Sequence, residues 1–537
     1  MKNEDAGRAN RRLAHPEVVA VVVPAAVMLA IGLWGLDRGG MWGDEGVTFL
    51  VGRRTVPQIW QLLHGIDAVH GLYYFFMHVV LAVHPGEVVL RLPSVCGAAA
   101  TAALVGALGA RLARPRVGLW AGLLYAITPV AGHYAQEGRS YAIVSAGAAG
   151  ATLLLVPVLE GRARPGWWWR YGALVAVTGL LHELVVLTLC AHAATLALAR
   201  ASRAVWLDWA RAAGLVGAVV LPLVWVSRRQ SEQVSWLVRP GWDNVEALVR
   251  DFATGPVGPV FWVSVGLMVV GLTARRTAAV ALPLLVLPPA ILISVSQYRP
   301  LFHERYVLYA LAGAPLLAAA GLDRVAGSLA RLRPRLRPRA SRLPHGSLVT
   351  LTGVLAAVVA FLQCLPLYRQ DRSPAHRPEN LAAVAAVAAR GIRPGDPVLY
   401  LPSTWRLAAL TYPKGFREAR DVALAESAAR SGTLSGLETT PRELRRTLAG
   451  LDRIWVVADS RILKARRQPA NALDRLKLAV VEERFTARQQ FVSGRVTLRL
   501  YVRGPAVATA SPPGAHPVTA ARPTPPRQSR QQSPAPR

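Results

Sequence analysis

Arginine, gathered in short clusters between long apolar runs, constrains this chain more than any other feature. The 537 residues include 62 basic ones, of which only Lys2, Lys414, Lys464 and Lys477 are lysines. A net charge of +31 spread evenly would suit a nucleic-acid binder. Set between runs of about 20 apolar residues, the length that crosses a bilayer, it describes membrane topology instead. Charged residues make up 17% of the chain, against roughly 25% in soluble domains. An ordinary soluble globule and a nucleic-acid partner are both excluded.

About eleven runs are candidates for spans: 17–36, 91–110, 117–134, 141–158, 170–182, 184–199, 213–227, 257–273, 278–296, 305–322 and 347–366. The first is long enough to span and no small-residue cleavage site closes it, so it is expected to be a signal anchor. Lys2, Arg8, Arg11 and Arg12 then stay in the cytoplasm, in a segment covering 1–16. Every even-numbered span ends in an arginine cluster: 111–116, 162–170, 200–211, 275–276 and 324–342. The apolar segment 71–84 is too short to cross, and crossing would move those clusters outside. It is expected to be an interfacial helix. In 170–199, a single span would bury His182 and Glu183 at mid-membrane, at a cost of several kcal/mol. Two short spans with that pair at an outer turn are expected. Cys96, Cys190 and Cys364 lie within apolar runs at no pairing or metal spacing, as small buried hydrophobes would.

Beyond 366 the composition changes. Residues 371–503 suit a small α/β domain, placed outside by eleven crossings. The pattern predicts a helix over 378–390, a turn at Pro394-Gly395-Asp396 and buried strands at 398–401 and 454–457. Thr440-Pro441-Arg442-Glu443 is a capping box that opens a helix ending at Gly450. Alternation in 496–500 suggests an edge strand. Residues 504–537, rich in Pro, Ala, Ser and Arg, are expected to be a disordered tail. The fold class is thus a polytopic α-helical membrane protein, with its membrane domain over 17–366.

This topology gathers polar chemistry on the outer side. Asp44 and Glu45 follow the first span, with His64, Asp67 and His70 in the same loop. The second outer turn holds His133, Gln136, Glu137, Arg139 and Tyr141, and a later one holds His303, Glu304, Arg305 and Tyr306. A carboxylate at a low-dielectric boundary gains basicity and can act as a general base. Neighbouring arginines suit a phosphate. Each residue also has an ordinary reading, as loop start, ion pair or interfacial anchor; their shared side is what points to an active face.

The ordered set Asp44-Glu45, Leu72-Tyr73-Tyr74, Arg91-Leu92-Pro93-Ser94 and Gln136-Glu137-x-Arg139-x-Tyr141, with Arg305-Tyr306 late in the chain, resembles the glycosyltransferase C superfamily. The branch is that of protein O-mannosyltransferases and the lipid A aminoarabinose transferase, and the resemblance covers about residues 17–366. It implies an inverting glycosyltransferase of the plasma membrane that takes a sugar from a polyprenyl phosphate. The acceptor hydroxyl would belong to a protein, lipid or envelope glycan. Asp44 and Glu45 would be the catalytic carboxylates, with Asp44 as base. Arg139, Arg305 and Tyr141 would hold the donor phosphate, and His133, Gln136 and Glu137 would line the site. In some relatives an acidic residue contributes to a divalent metal, which makes Glu137, Asp67 and His70 candidate ligands. Relatives often carry two prolines before Leu-Tyr-Tyr; here Asp67-Ala68-Val69-His70-Gly71-Leu72 has neither. The alternative function is a transporter or flippase of a lipid-linked saccharide, with Pro288-Pro289 as a broken-helix candidate. A non-catalytic scaffold is a third. The outer domain shows no second catalytic motif, and either guides the acceptor or stabilises the outer loops.

Overall fold

The computed structural model describes residues 2–164, 166–253, 258–332, 345–373, 379–469 and 471–504. Arg333, Arg335, Arg337, Arg339 and Arg342 of the last expected cytoplasmic cluster, and the tail from 505, lie outside them. Among the described residues seven helices are long and apolar enough to cross a bilayer: Pro16–Leu33, Glu87–Leu112, Tyr141–Leu159, Arg203–Arg229, Arg275–Ser296, Glu304–Leu329 and Ser347–Asp371. The chain is a multi-pass membrane protein. The other four expected spans are also helical, but shorter: Pro115–Ala126, Trp167–Leu181, Leu187–Leu198 and Gly258–Gly271. The run 170–199 is broken at His182, as burial of its ionisable pair required. Arg275–Ser296 continues unbroken through Pro283, Pro288 and Pro289, so the break considered at Pro288-Pro289 is not present in this helix.

Small residues let the first helices meet backbone to backbone. A Cβ on Gly106 would lie 2.1 Å from the Ala20 carbonyl oxygen, and one on Gly118 would lie 2.2 Å from that of Gly106. The core grown around this contact includes Met28, Ala102, Val105, Trp120, Tyr125 and Leu316. Cys364 is buried as expected, whereas Cys96 and Cys190 are exposed on their helices' outer surfaces, where apolar composition satisfies lipid rather than a protein core.

The loop after the first helix folds into three short helices, Gly43–Gly52, Val56–Gly65 and Gly71–Val83. The third is the expected short helix. Tyr73, Tyr74, Met77 and Leu81 are buried on one side, while Phe76, Val79 and Val83 are exposed. This division suits a helix lying along an interface.

The C-terminal domain has strands β1 (Pro397–Leu401), β2 (Arg420–Asp421), β3 (Leu424–Glu426), β4 (Leu437–Glu438), β5 (Arg453–Asp459), β6 (Phe485–Ser493) and β7 (Val496–Arg503). Five form one sheet in the order β2-β1-β5-β7-β6, and β3 pairs with β4. The period of two sends Leu399, Leu401, Ile454 and Val456 to one face, with Leu444, Leu448 and Val480. It sends Val398, Tyr400, Trp455 and Val457 to the other, with Leu381 and Val384. The capping box forms at Thr440, and its helix ends at Gly450. One expectation fails: 496–500 belongs to an interior strand, with β5 on one side and β6 on the other. The edge is Phe485–Ser493, whose Arg488-Gln489-Gln490 obscures any apolar alternation.

Candidate active site

Motifs scattered through the sequence interlock at one end of the helices. Asp44 and Glu45 occupy the first turn of Gly43–Gly52, where the helix dipole favours acids. Adjacent helical residues point about 100° apart, and the two carboxylates part company. Glu45 turns inward and is fully buried against Arg91, with Oε1 2.7 Å from Nε and Oε2 2.8 Å from Nη2. It also accepts the Gly138 amide at 3.0 Å. Glu45, expected beside Asp44 as a catalytic carboxylate, is thus bound to Arg91 and Gly138 and does not line the cavity that Asp44 enters. Ser94 of the same motif donates to the Arg139 carbonyl at 2.9 Å.

Asp44 turns the other way, into a cavity of about 1600 Å³. Its Oδ2 lies 3.0 Å from Arg305 Nη1 and 3.5 Å from Arg139 Nη2. Oδ1 faces no partner among the described residues. The Arg305 guanidinium sits within 5.6–5.8 Å of the Trp42, Tyr141 and Tyr306 rings. Arg139 is buried and reaches Thr48 Oγ1 at 3.2 Å and His70 Nε2 at 3.1 Å. The buried Tyr141 hydroxyl and the Nε atoms of both arginines have no hydrogen-bond partner among the described residues. Of the expected site residues, Asp44, Arg139, Arg305, Tyr141 and Glu137 thus come together. Gln136 lines the cavity but spends its amide on the Gly32 and Trp34 carbonyls, each at 2.8 Å. His133 stands at the rim, 2.7 Å from Asp371.

The proposed metal ligands do not converge. Among the described residues no group of three His, Cys, Asp or Glu is placed to hold an ion. The Asp67 carboxylate accepts Tyr74 OH at 2.6 Å, and the accepting nitrogen of His70 faces Arg139. Asp67 has φ +62°, a left-handed conformation that Asp tolerates, and this shapes the loop where relatives carry prolines. Of the three candidate ligands, Glu137 has no hydrogen-bond partner for either oxygen among the described residues. Burial pushes its carboxyl up to about 7, against the pull of Arg305 and His133. These residues do not fit a metal centre, and no chemical step is assigned to one.

Sequence reasoning missed several wall residues. Gln233 and Gln230 accept the Asp67 and Ala68 amides at 3.2 and 2.9 Å and so fix the first loop from a distance. From the C-terminal domain come Glu379, Arg461 and Arg495. That domain is seated by the Leu381 amide on the Met41 carbonyl at 3.0 Å and by Arg54 on the Thr433 carbonyl at 2.6 Å. No motif announces such contacts.

His182, at the helix break, also lines the cavity. Burial, then Arg305 and Arg139, pushes its pKa down to about 3, and burial beside Arg139 holds His70 well below its usual range. The unfolded chain protonates both near pH 6.5 and the folded one resists. Between the two values the unfolded state binds more protons, so their contribution to stability is full above pH 6.5 and falls as pH drops toward 3. The unfolding midpoint in detergent should be lower at pH 5 than at pH 7.5, and His182→Asn should narrow that gap. An unchanged gap would mean that His182 carries none of it.

No family model and no curated protein sequence matches the chain. Solved structures do. ArnT from Cupriavidus metallidurans in the apo state superposes with a TM-score of 0.58 at 15% identity, covering 89% of this chain and 97% of that one. The same protein bound to undecaprenyl phosphate gives a TM-score of 0.55 at 14% identity, with the same coverage. At such identities the likeness is one of fold alone: the chain has the fold of ArnT.

Proposed function

We propose that the protein is an inverting glycosyltransferase that moves a sugar from a polyprenyl-phosphate donor to an acceptor hydroxyl on the extracytoplasmic face of the plasma membrane. The observation that carries this reading is Asp44, held at the wall of a large cavity between two arginines with one carboxylate oxygen left open. Apolar Val186, Val224, Val234, Leu237 and Val295 line the same cavity, which suits a prenyl chain meeting a charged headgroup. ArnT, whose fold is similar, has been crystallised with undecaprenyl phosphate, a carrier of this class.

The chemistry follows from the geometry. The donor phosphate draws Arg139 and Arg305 toward itself, and this releases Asp44 Oδ2. The acceptor oxygen forms a bond to the anomeric carbon as the bond from that carbon to the phosphate oxygen breaks. The electron pair leaves with the lipid phosphate, whose charge the two guanidiniums offset. Asp44 takes the acceptor's proton. Because the arginines hold Asp44 until a phosphate competes for them, the base is freed only when donor is present. Transfer of labelled sugar from polyprenyl phosphate in proteoliposomes tests the reading. Counterflow of the intact lipid-linked sugar without bond cleavage would replace it with the transporter.

A further inference from the structure

The segment 230–253 follows helix Arg203–Arg229 and carries more apolar surface than the protein itself covers. It ends in a helix, Trp242–Phe252. At 100° per residue, Trp242, Val245, Leu248, Val249 and Phe252 share a stripe about 120° wide, with Asp243, Glu246 and Arg250 off it. The protein uses only one side of that stripe. Leu248 and Phe252 are buried in the core of the membrane helices, whereas Val249 is 47% and Trp242 85% exposed. The stretch before the helix repeats the division: Trp236 and Val238 are exposed, and Leu237 between them is buried.

A contact with a spanning helix fixes the depth of this segment. Gln297, the residue that closes Arg275–Ser296, donates its side-chain amide to the Pro240 carbonyl at 3.0 Å. Residues 236–242 therefore lie at the level where a membrane helix ends. Exposed aromatic rings stand near the ends of three helices: Trp225 in the last turns of Arg203–Arg229, Trp262 near the start of Gly258–Gly271, and Tyr298 just past Arg275–Ser296. Such rings collect at a bilayer boundary, where one end meets hydrocarbon and the polar end meets water. Arg228, Arg239 and Arg299 are close to these rings in sequence and make no ion pair among the described residues. Guanidiniums at that level suit lipid phosphates.

We infer that residues 236–249 are seated in the bilayer leaflet on this side, with Trp236, Val238, Trp242 and Val249 reaching its hydrocarbon boundary. The occupant of the exposed stripe is phospholipid, because the stripe continues the exposed apolar surfaces of the membrane helices on either side of the segment. The inference does not depend on which reaction the main cavity performs, yet it bears on that cavity. Val234, Trp236 and Leu237 form part of its wall, so lipid behind Trp236 and substrate in front of it are separated by a single layer of side chains.

Depth is measured by electron paramagnetic resonance of a nitroxide on the full-length protein in vesicles of phosphatidylethanolamine and phosphatidylglycerol. Cys96→Ala and Cys190→Ala remove the exposed native thiols, and Cys364 is buried. The label is placed in turn by Trp242→Cys, Val238→Cys and, off the stripe, Glu246→Cys. Collision with oxygen, which favours hydrocarbon, is compared with collision with a water-soluble nickel chelate. Labels at 238 and 242 should lie about 5–10 Å below the headgroup boundary, and the label at 246 at or above it. Nickel access at 238 and 242 equal to that at 246 overturns the inference, because the stripe then faces water. Protection of 238 and 242 from oxygen and nickel alike also overturns it, and assigns the surface to a protein partner such as a second copy. Val249→Cys lies on the same stripe and gives the same reading where Trp242→Cys does not fold.

Discussion

Asp44→Asn should lower kcat by about three orders of magnitude, within the range by which a positioned general base accelerates transfer. The amide keeps the size and the hydrogen-bonding reach of the carboxylate but cannot accept the acceptor's proton. It also releases Arg139 and Arg305 from a charged partner 3.5 and 3.0 Å away. Donor affinity should therefore be unchanged or tighter, and the loss should fall in kcat rather than in the donor KM. Initial rates with labelled donor in proteoliposomes separate the two quantities. Turnover within tenfold of wild type would remove Asp44 from the role of base.

The neighbouring residue should behave differently. Glu45→Ala leaves Arg91 as an uncompensated charge in a site where both side chains are 0% exposed. Breaking one side of such a pair costs about 3–5 kcal/mol, a large fraction of the stability of a typical domain. The yield of folded protein and the unfolding midpoint should both fall sharply. Glu45→Gln, which preserves an acceptor for the Gly138 amide, should be milder, and its folded fraction should retain kcat close to wild type. A well-folded Glu45→Gln without turnover would return Glu45 to the chemistry.

These two carboxylates show where sequence reasoning stops. The apolar runs and the gathering of Asp44, Arg139 and Arg305 at one place were legible because bilayer length and charge act locally along the chain. The break at His182 was legible because burying an ionisable pair at mid-membrane is costly. The division of labour between Asp44 and Glu45 was not, since it depends on the direction in which a helix begins. Nor could spacing reveal that Gln230 and Gln233 would fix Asp67, or that Arg461 and Arg495 would face Asp44's cavity. Those contacts follow from how separate elements pack. In the C-terminal domain the same limit turned an interior strand into an expected edge, because β7's second neighbour is a polar stretch without strand-like alternation.

The end of the first helix carries a consequence for biosynthesis. Its last carbonyls, which no residue of the helix itself can satisfy, accept from two distant side chains. Gln136 binds those of Gly32 and Trp34, while Arg372 donates to Ile31 at 2.9 Å and to Trp34 at 2.8 Å. Arg372 also holds the Tyr368 carbonyl at 3.1 Å and is itself buried. An emerging chain therefore inserts its first helix long before the residue that finishes it has been translated. Until Arg372, 338 residues after Trp34, has been translated, the Ile31 and Trp34 carbonyls lack the partner that it supplies in the folded protein.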